Sequence, residues 1–137
     1  MTRGLRNNNP GNIRYSAIKY LGEIDPSKDT AFKQFKTIVW GYRAIFMLLH
    51  TYSRRHSLKT IKGMISRYAP QSENDTDGYV KAVSLWSGIQ PDRVLNTLDG
   101  SVMIPVVSAI SRMENGIAAI KSDVESGWQL FINTVGV

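Results

Sequence analysis

The residue with the clearest potential for chemistry is Glu114, which stands where a helical pattern stops. It continues the apolar row of Met103, Val107 and Ile110 at steps of three and four residues, and an Asn-Gly pair follows at once. This spacing predicts a carboxyl group at the end of a helix, on its buried face. Apolar surroundings and the partial negative charge of a helix C-terminus favour a protonated carboxyl, the form that a general acid needs.

Periodicity leaves a second position open for Glu114. Helix ends fray, so the side chain could instead rotate into solvent beside Arg112. The helical spacing alone favours this exposed position over the catalytic one. Other parts of the sequence must decide between them.

A dense group of polar residues precedes another predicted helix. The string SENDT ends at Thr76, and Tyr79 follows within one turn. Hydroxyl, amide and carboxyl groups beside an aromatic ring suit the recognition of a sugar polymer. Asp75 and Thr76 also fit the role of helix N-cap, which is the more common use of these residue types. Glu73, Asn74 and Tyr79 are therefore the stronger candidates for contact with a ligand.

A third group is the asparagine-rich string RNNNPGNIR, which covers residues 6–14. Three consecutive asparagines and a Pro-Gly pair predict a tight, ordered turn. Asparagine side chains bond to nearby backbone groups and tolerate left-handed backbone, so a structural role is expected for Asn7 and Asn8.

The elements that must position these groups are mostly helical. Residues 3–35 predict loops with a small β-hairpin, in which residues 31–35 form the strand. Apolar periodicity then predicts five helices. They cover residues 38–54, residues 58–68, a segment capped by Asp75 or Thr76 and ended by Gly88, a segment capped by Ser101, and a segment that begins near Ser122 in a capping box with Glu125. The expected apolar faces of the third and fourth helices include Trp86 and Met113, respectively.

Composition sets broad limits. The 137 residues suit a single domain over residues 1–137, and the absence of cysteine excludes disulfides and thiolate chemistry. A formal net charge of +6 favours a polyanionic partner. The basic residues are scattered and no nucleic-acid motif is present, so no specific nucleic acid is expected. Neither a signal peptide nor a membrane span is expected, because the longest apolar stretch is short and contains Arg43.

The polar groups together resemble a family of bacteriophage and prophage proteins with a lysozyme-like, lytic-transglycosylase-type domain that degrades peptidoglycan. The resemblance spans nearly the whole chain. It is carried by RGLRNNNPGNIR at residues 3–14, DTAFKQF at 29–35 leading into GYRA at 41–44, YAPQSENDT at 68–76 with YV at 79–80, and RMENG at 112–116. After the turn the sequence departs from the family pattern, and Tyr20 is the candidate for the aromatic residue expected there.

The resemblance implies a mainly α (α+β), lysozyme-like fold of about five helices and a small hairpin. In ordinary lytic transglycosylases the catalytic helix comes early in the domain, whereas here it comes late. The order of elements is therefore expected to be circularly permuted, which the nearby termini of many domains permit.

The resemblance also implies the roles of individual residues. Glu114 becomes the acid and base that cleaves the MurNAc–GlcNAc bond, and no second carboxylate is needed if the product is a 1,6-anhydro sugar. If the reaction is hydrolysis, Glu73 is the first choice for the second carboxylate and Glu23 the second choice. The expected substrate contacts are Asn9, Asn12, Tyr68, Asn74, Thr76 and Tyr79.

The expected partner is bacterial peptidoglycan, with other virion proteins as further candidates. The chain is expected to be a monomer without metal or cofactor, made in the host cytoplasm and acting on the cell wall. Two other classes stay open: a noncatalytic virion or wall-binding module with the same fold, and a nucleic-acid-binding protein supported only by the positive charge.

Overall fold

The computed structural model describes residues 1–135 and consists mainly of helices. The helices are α1 (Arg3–Arg6), α2 (Ile38–His56), α3 (Ile61–Tyr68), α4 (Thr76–Ser87), α5 (Gly100–Asn115) and α6 (Lys121–Val135). The strands β1 (Glu23–Ile24) and β2 (Gln34–Phe35) form a two-stranded sheet. All five helices predicted from periodicity are confirmed, while α1 was not predicted.

The core is built around α2, whose buried face includes Ile45, Phe46 and Leu49. The long helix α6 packs along α2, and α5 packs against α4. A glycine permits the close approach of α2 and α6: a Cβ atom at Gly127 would lie 2.6 Å from the Cβ atom of Tyr42. This packing leaves the C-terminal end of α5 beside α1, at the N-terminal region of the chain.

The hairpin is shorter than predicted. Its antiparallel register pairs Glu23 with Phe35, and Phe32 contributes only an isolated bridge to Arg14. The predicted strand at residues 31–35 is cut short because the carboxylate of Asp29 accepts the amide N–H groups of residues 31 and 32. Those donors are then unavailable to a strand partner.

Three helix-start predictions meet different outcomes. Of the two predicted caps of α4, Asp75 and Thr76, the N-cap is Asp75, which accepts a hydrogen bond from the amide of Gly78. The N-cap of α5 is Asp99 and not Ser101, whose amide and hydroxyl both donate to the Asp99 carboxylate. Helix α6 begins at Lys121, so Ser122 lies within its first turn and cannot form the predicted capping box.

Two residues expected on apolar faces are more exposed than predicted. Trp86 is 38% exposed, and the guanidinium of Arg112 lies 4.1 Å from the centroid of its indole ring. Met113 is also 38% exposed, because at this end of α5 the buried side chain is that of Asn115.

Asp29 anchors the N-terminal segment to the hairpin. Its carboxylate accepts two hydrogen bonds from Arg3, each 2.7 Å long, and one from Asn7. These donors, with Arg3 the strongest, hold the pKa of Asp29 well below its ordinary value of 3.8. The network fixes the start of the asparagine-rich turn.

Replacing Asp29 with Asn is expected to lower the Tm at neutral pH, because the amide nitrogen cannot accept these bonds. A depressed folded-state pKa stabilises the protein above the unfolded-state pKa and loses that effect as the pH falls through the folded value. The Tm difference between wild type and D29N should therefore be greatest at neutral pH and narrow below about pH 4. Thermal melts across pH measure this difference. Asp92→Asn, an exposed loop substitution, is the control and should show no such pH-dependent gap.

Candidate active site

Glu114 lies in the last turn of α5, half-buried, with its carboxylate held from two sides. The helix ends immediately beyond it because Gly116 adopts a left-handed conformation (φ 74°) and donates its amide to the Arg112 carbonyl. The apolar row before it, including Val107 and Ile110, is fully buried. The inward direction predicted for Glu114 is thus the one observed.

Each oxygen of the Glu114 carboxylate accepts one hydrogen bond from a different part of the chain. The Asn12 side-chain amide donates to Oε1 at 2.9 Å, across 102 residues of sequence. The Tyr79 hydroxyl donates to Oε2 at 2.7 Å, across 35 residues. Since an ionised carboxylate has about four acceptor positions, further positions remain for a proton or a ligand.

The two tyrosines at the site keep their protons. Burial, followed by the nearby Tyr68 and Glu114, raises the pKa of Tyr79 well above its ordinary value. Burial and then the negative charge of Glu114 raise the pKa of Tyr68 in the same way. Tyr79 is therefore a hydrogen-bond donor to Glu114 at any physiological pH.

Tyr68 connects α3 to the asparagine-rich turn. Its hydroxyl donates to the carbonyl of Gly11, and its ring meets that of Tyr79 edge-on, with centroids 6.5 Å apart. A Cβ atom at Gly11 would collide with this hydroxyl and with Ile45. A glycine is therefore needed at this position of the turn.

The turn itself presents Asn12 to the carboxylate. Asn12 has φ 49°, a left-handed conformation that asparagine tolerates. Asn9 fixes the turn from inside by donating to the carbonyls of Ile13 and Lys33 and accepting the Ile13 amide. Asn8 is also left-handed and donates to the Phe35 carbonyl, which confirms its predicted structural role.

Two residues that the sequence did not single out lock the turn onto α5. Asn115 donates to the Pro10 carbonyl at 2.8 Å and accepts the Thr2 hydroxyl at 2.7 Å. Gly4 leaves room for the asparagines, because a Cβ atom there would lie 2.7 Å from Asn12 Oδ1. In the sequence, Asn115 was marked only by its position immediately after Glu114 and by its place in the RMENG string.

A cleft of about 440 Å³ opens beside Glu114. The three sequence groups all contribute to its lining, which includes Asn12 and Arg14 from the turn, Tyr68, Glu73 and Asn74 from α3 and the following connector, and Glu114 from α5. The predicted groups therefore converge on one cleft. Tyr79 does not line the cleft and is only 3% exposed, so the substrate contact expected of it is replaced by its hydrogen bond to Glu114.

Glu73 lies at the cleft as an exposed group. Its carboxylate is 3.9 Å from the guanidinium of Arg14, and both side chains are more than half exposed. Asn74 is also exposed and donates a long bond of 3.4 Å to the Pro70 carbonyl. Both residues are accessible to a ligand in the cleft.

Four other expectations are corrected by the structure. Asn9 is fully buried and its amide is occupied by backbone groups, so it shapes the turn and does not face the cleft. Thr76 is buried and donates to the Ala69 carbonyl, so it is not the substrate contact that was expected.

Glu23 is paired with the buried Lys33 at 3.1 Å, which removes it as a second carboxylate. Tyr20 does not line the cleft, whereas the exposed Tyr15 does.

Among residues 1–135, no cluster of three or more His, Cys, Asp or Glu side chains is arranged to hold a metal ion. None of the helices in that part of the chain is both long enough and apolar enough to cross a membrane.

The fold and site define a mainly helical protein with a cleft, at whose edge the Glu114 carboxylate is held by two hydrogen bonds. The sequence is 41% identical over 117 residues to Protein P5 of Pseudoalteromonas phage PM2, and the match covers 83% of this chain and 71% of Protein P5. The chain therefore belongs to the same family as this bacteriophage protein. No family model matches the sequence.

Proposed function

We propose that this protein is a circularly permuted, lysozyme-like enzyme of the lytic transglycosylase type, which cleaves the MurNAc–GlcNAc bond of peptidoglycan. The observation that carries the proposal is the Glu114 carboxylate, held by Asn12 and Tyr79 at the edge of the cleft. A carboxylate with two fixed neutral donors is oriented without being neutralised by a cation. Such a group can deliver and remove a proton at a defined position.

In the proposed reaction Glu114 begins protonated and transfers its proton to the glycosidic oxygen as the bond to C1 of MurNAc breaks. The resulting carboxylate then takes the proton of the MurNAc C6 hydroxyl while that oxygen bonds to C1. The products are a 1,6-anhydro sugar and a free GlcNAc hydroxyl, and Glu114 is protonated again. No water and no second carboxylate are consumed.

The phage origin of the relative supports a role in bacterial infection. We place the protein at the host cell wall, as a part of the virion or as a product released during infection. The positive charge of the chain suits contact with an acidic wall polymer.

The experiment that tests the proposal is digestion of purified sacculi. Wild-type protein is expected to release soluble muropeptides over time. Binding to sacculi without release would instead support the noncatalytic wall-binding alternative. Steeply salt-dependent DNA affinity, without activity on sacculi, would support the nucleic-acid-binding alternative.

Replacing Glu73 with Gln separates a transglycosylase from a hydrolase. If Glu114 acts alone, kcat for sacculus digestion should change by less than about fivefold, because the exposed Glu73 only contacts Arg14 at 3.9 Å. If Glu73 supplies a second catalytic carboxylate, kcat should fall about 10²-fold or more. Steady-state rates of muropeptide release decide between these outcomes.

A further inference from the structure

Two arginines in the cleft have no catalytic task in the proposed reaction. Within residues 1–135, the charged side chains that line the cleft are Arg14, Arg67, Glu73 and Glu114. Glu114 is held by neutral donors, so neither arginine is needed to hold it. The two guanidinium groups are therefore available for another purpose.

Each of these arginines lies over an aromatic ring that also lines the cleft. The Arg14 guanidinium lies 5.3 Å from the centroid of Phe32, and that of Arg67 lies 5.5 Å from the centroid of Tyr52. Cation–π contacts of this kind restrict a flexible side chain while leaving its N–H groups free to donate. The rings therefore hold both cations at the cleft.

Comparison with Arg3 shows how loosely these two arginines are paired. Arg3 lies over the same Phe32 ring as Arg14, with its guanidinium 4.7 Å from the ring centroid. It also donates two hydrogen bonds of 2.7 Å to Asp29. Arg14 has one exposed contact of 3.9 Å with Glu73. Arg67 makes no salt bridge to residues 1–135. The guanidinium of Arg3 is occupied by Asp29, whereas those of Arg14 and Arg67 can bind an anion.

We propose that Arg14 and Arg67 bind carboxylate groups of the substrate, so that the cleft selects an acidic glycan over a neutral one. The identity of the substrate rests on the proposed function. Guanidinium groups match carboxylates in geometry and charge. In peptidoglycan such carboxylates come from the stem peptides or, where the peptide has been removed, from the lactyl group of MurNAc. Chitooligosaccharides carry neither.

The test measures binding in a Glu114→Gln background, so that the result does not depend on cleavage. The variants Arg14→Met and Arg67→Met are titrated with three soluble ligands: peptide-bearing glycan chains, chains stripped of peptides by an amidase, and chitooligosaccharides. Arg93→Met, an exposed arginine outside the cleft, is the matched control.

Each arginine variant is expected to raise the Kd for at least one carboxylate-bearing ligand by about three- to tenfold. The Kd for chitooligosaccharides should stay unchanged, and the control should bind all ligands like its parent. The ligand most affected identifies the peptide or the lactyl carboxylate as the source. Equal losses for all three ligands, an equal loss in the control, unchanged binding, or no binding of carboxylate-bearing chains would overturn the proposal.

The two proposals fail separately. If wild-type protein releases nothing from sacculi but the arginine variants lose carboxylate-dependent binding, the enzyme assignment fails and the binding site stands. If wild type cleaves normally and both variants bind like their parent, the arginine site fails and the enzyme assignment stands.

Discussion

Replacing Glu114 with Gln is expected to lower the rate of muropeptide release by about 10²- to 10⁴-fold while the protein stays folded. Glutamine has the shape of glutamate but can neither donate nor accept the proton that the reaction transfers. Its carbonyl can accept from Asn12, and its amide can donate to the Tyr79 hydroxyl after that hydroxyl rotates. The contacts at the helix end are thereby retained.

Two controls make this result interpretable. The Tm of E114Q should stay close to that of wild type, which separates lost chemistry from lost structure. Glu125→Gln makes the same change at an exposed position on α6, and it should keep full activity. Wild-type rates in E114Q would remove Glu114 from the mechanism.

The second large effect is expected for Tyr79→Phe. This change removes the 2.7 Å hydrogen bond to Glu114 Oε2 and keeps the buried ring. Hydrogen bonds to charged groups contribute about 1.5–3 kcal/mol, which corresponds to roughly a 10- to 150-fold fall in kcat if the bond acts in the transition state. KM should change little, because Tyr79 does not line the cleft.

Tyr42→Phe is the matched control for this variant. The Tyr42 hydroxyl is also buried and also bonds to α5, at Ser111, 2.9 Å away and one turn before Glu114. Its loss should lower the Tm and leave kcat unchanged. Equal kcat losses in Y42F and Y79F would mean that Tyr79 acts only by stabilising α5, and an unchanged kcat in Y79F would exclude it from the mechanism.

The helices of this fold were predictable because they are long and regularly patterned. Ile45 and Leu49 stand four residues apart in α2 and are both buried, as is the predicted row that leads to Glu114 in α5. The hairpin was less predictable, because the side chain of Asp29 occupies backbone donors that a longer strand would use. Such a side-chain interaction leaves no periodic pattern in the sequence.

The site was predictable as a set of groups but not as a geometry. The turn, the connector before α4 and the end of α5 were each recognised, and they converge on one cleft. Which polar residue faces the cleft depends on packing between distant segments, as the buried Asn9 and the cleft-lining Asn12 show. Arg67 carried no sequence signal, because its position over Tyr52 arises from the packing of α3 on α2.

The measurement that tests the central claim most directly is mass spectrometry of the soluble products from sacculi treated with wild-type protein. A transglycosylase that uses Glu114 alone should give muropeptides ending in 1,6-anhydro-MurNAc, each lighter by one water than the hydrolytic product. Products with reducing MurNAc ends would contradict the single-carboxylate mechanism, and the absence of muropeptides would contradict the enzyme assignment itself.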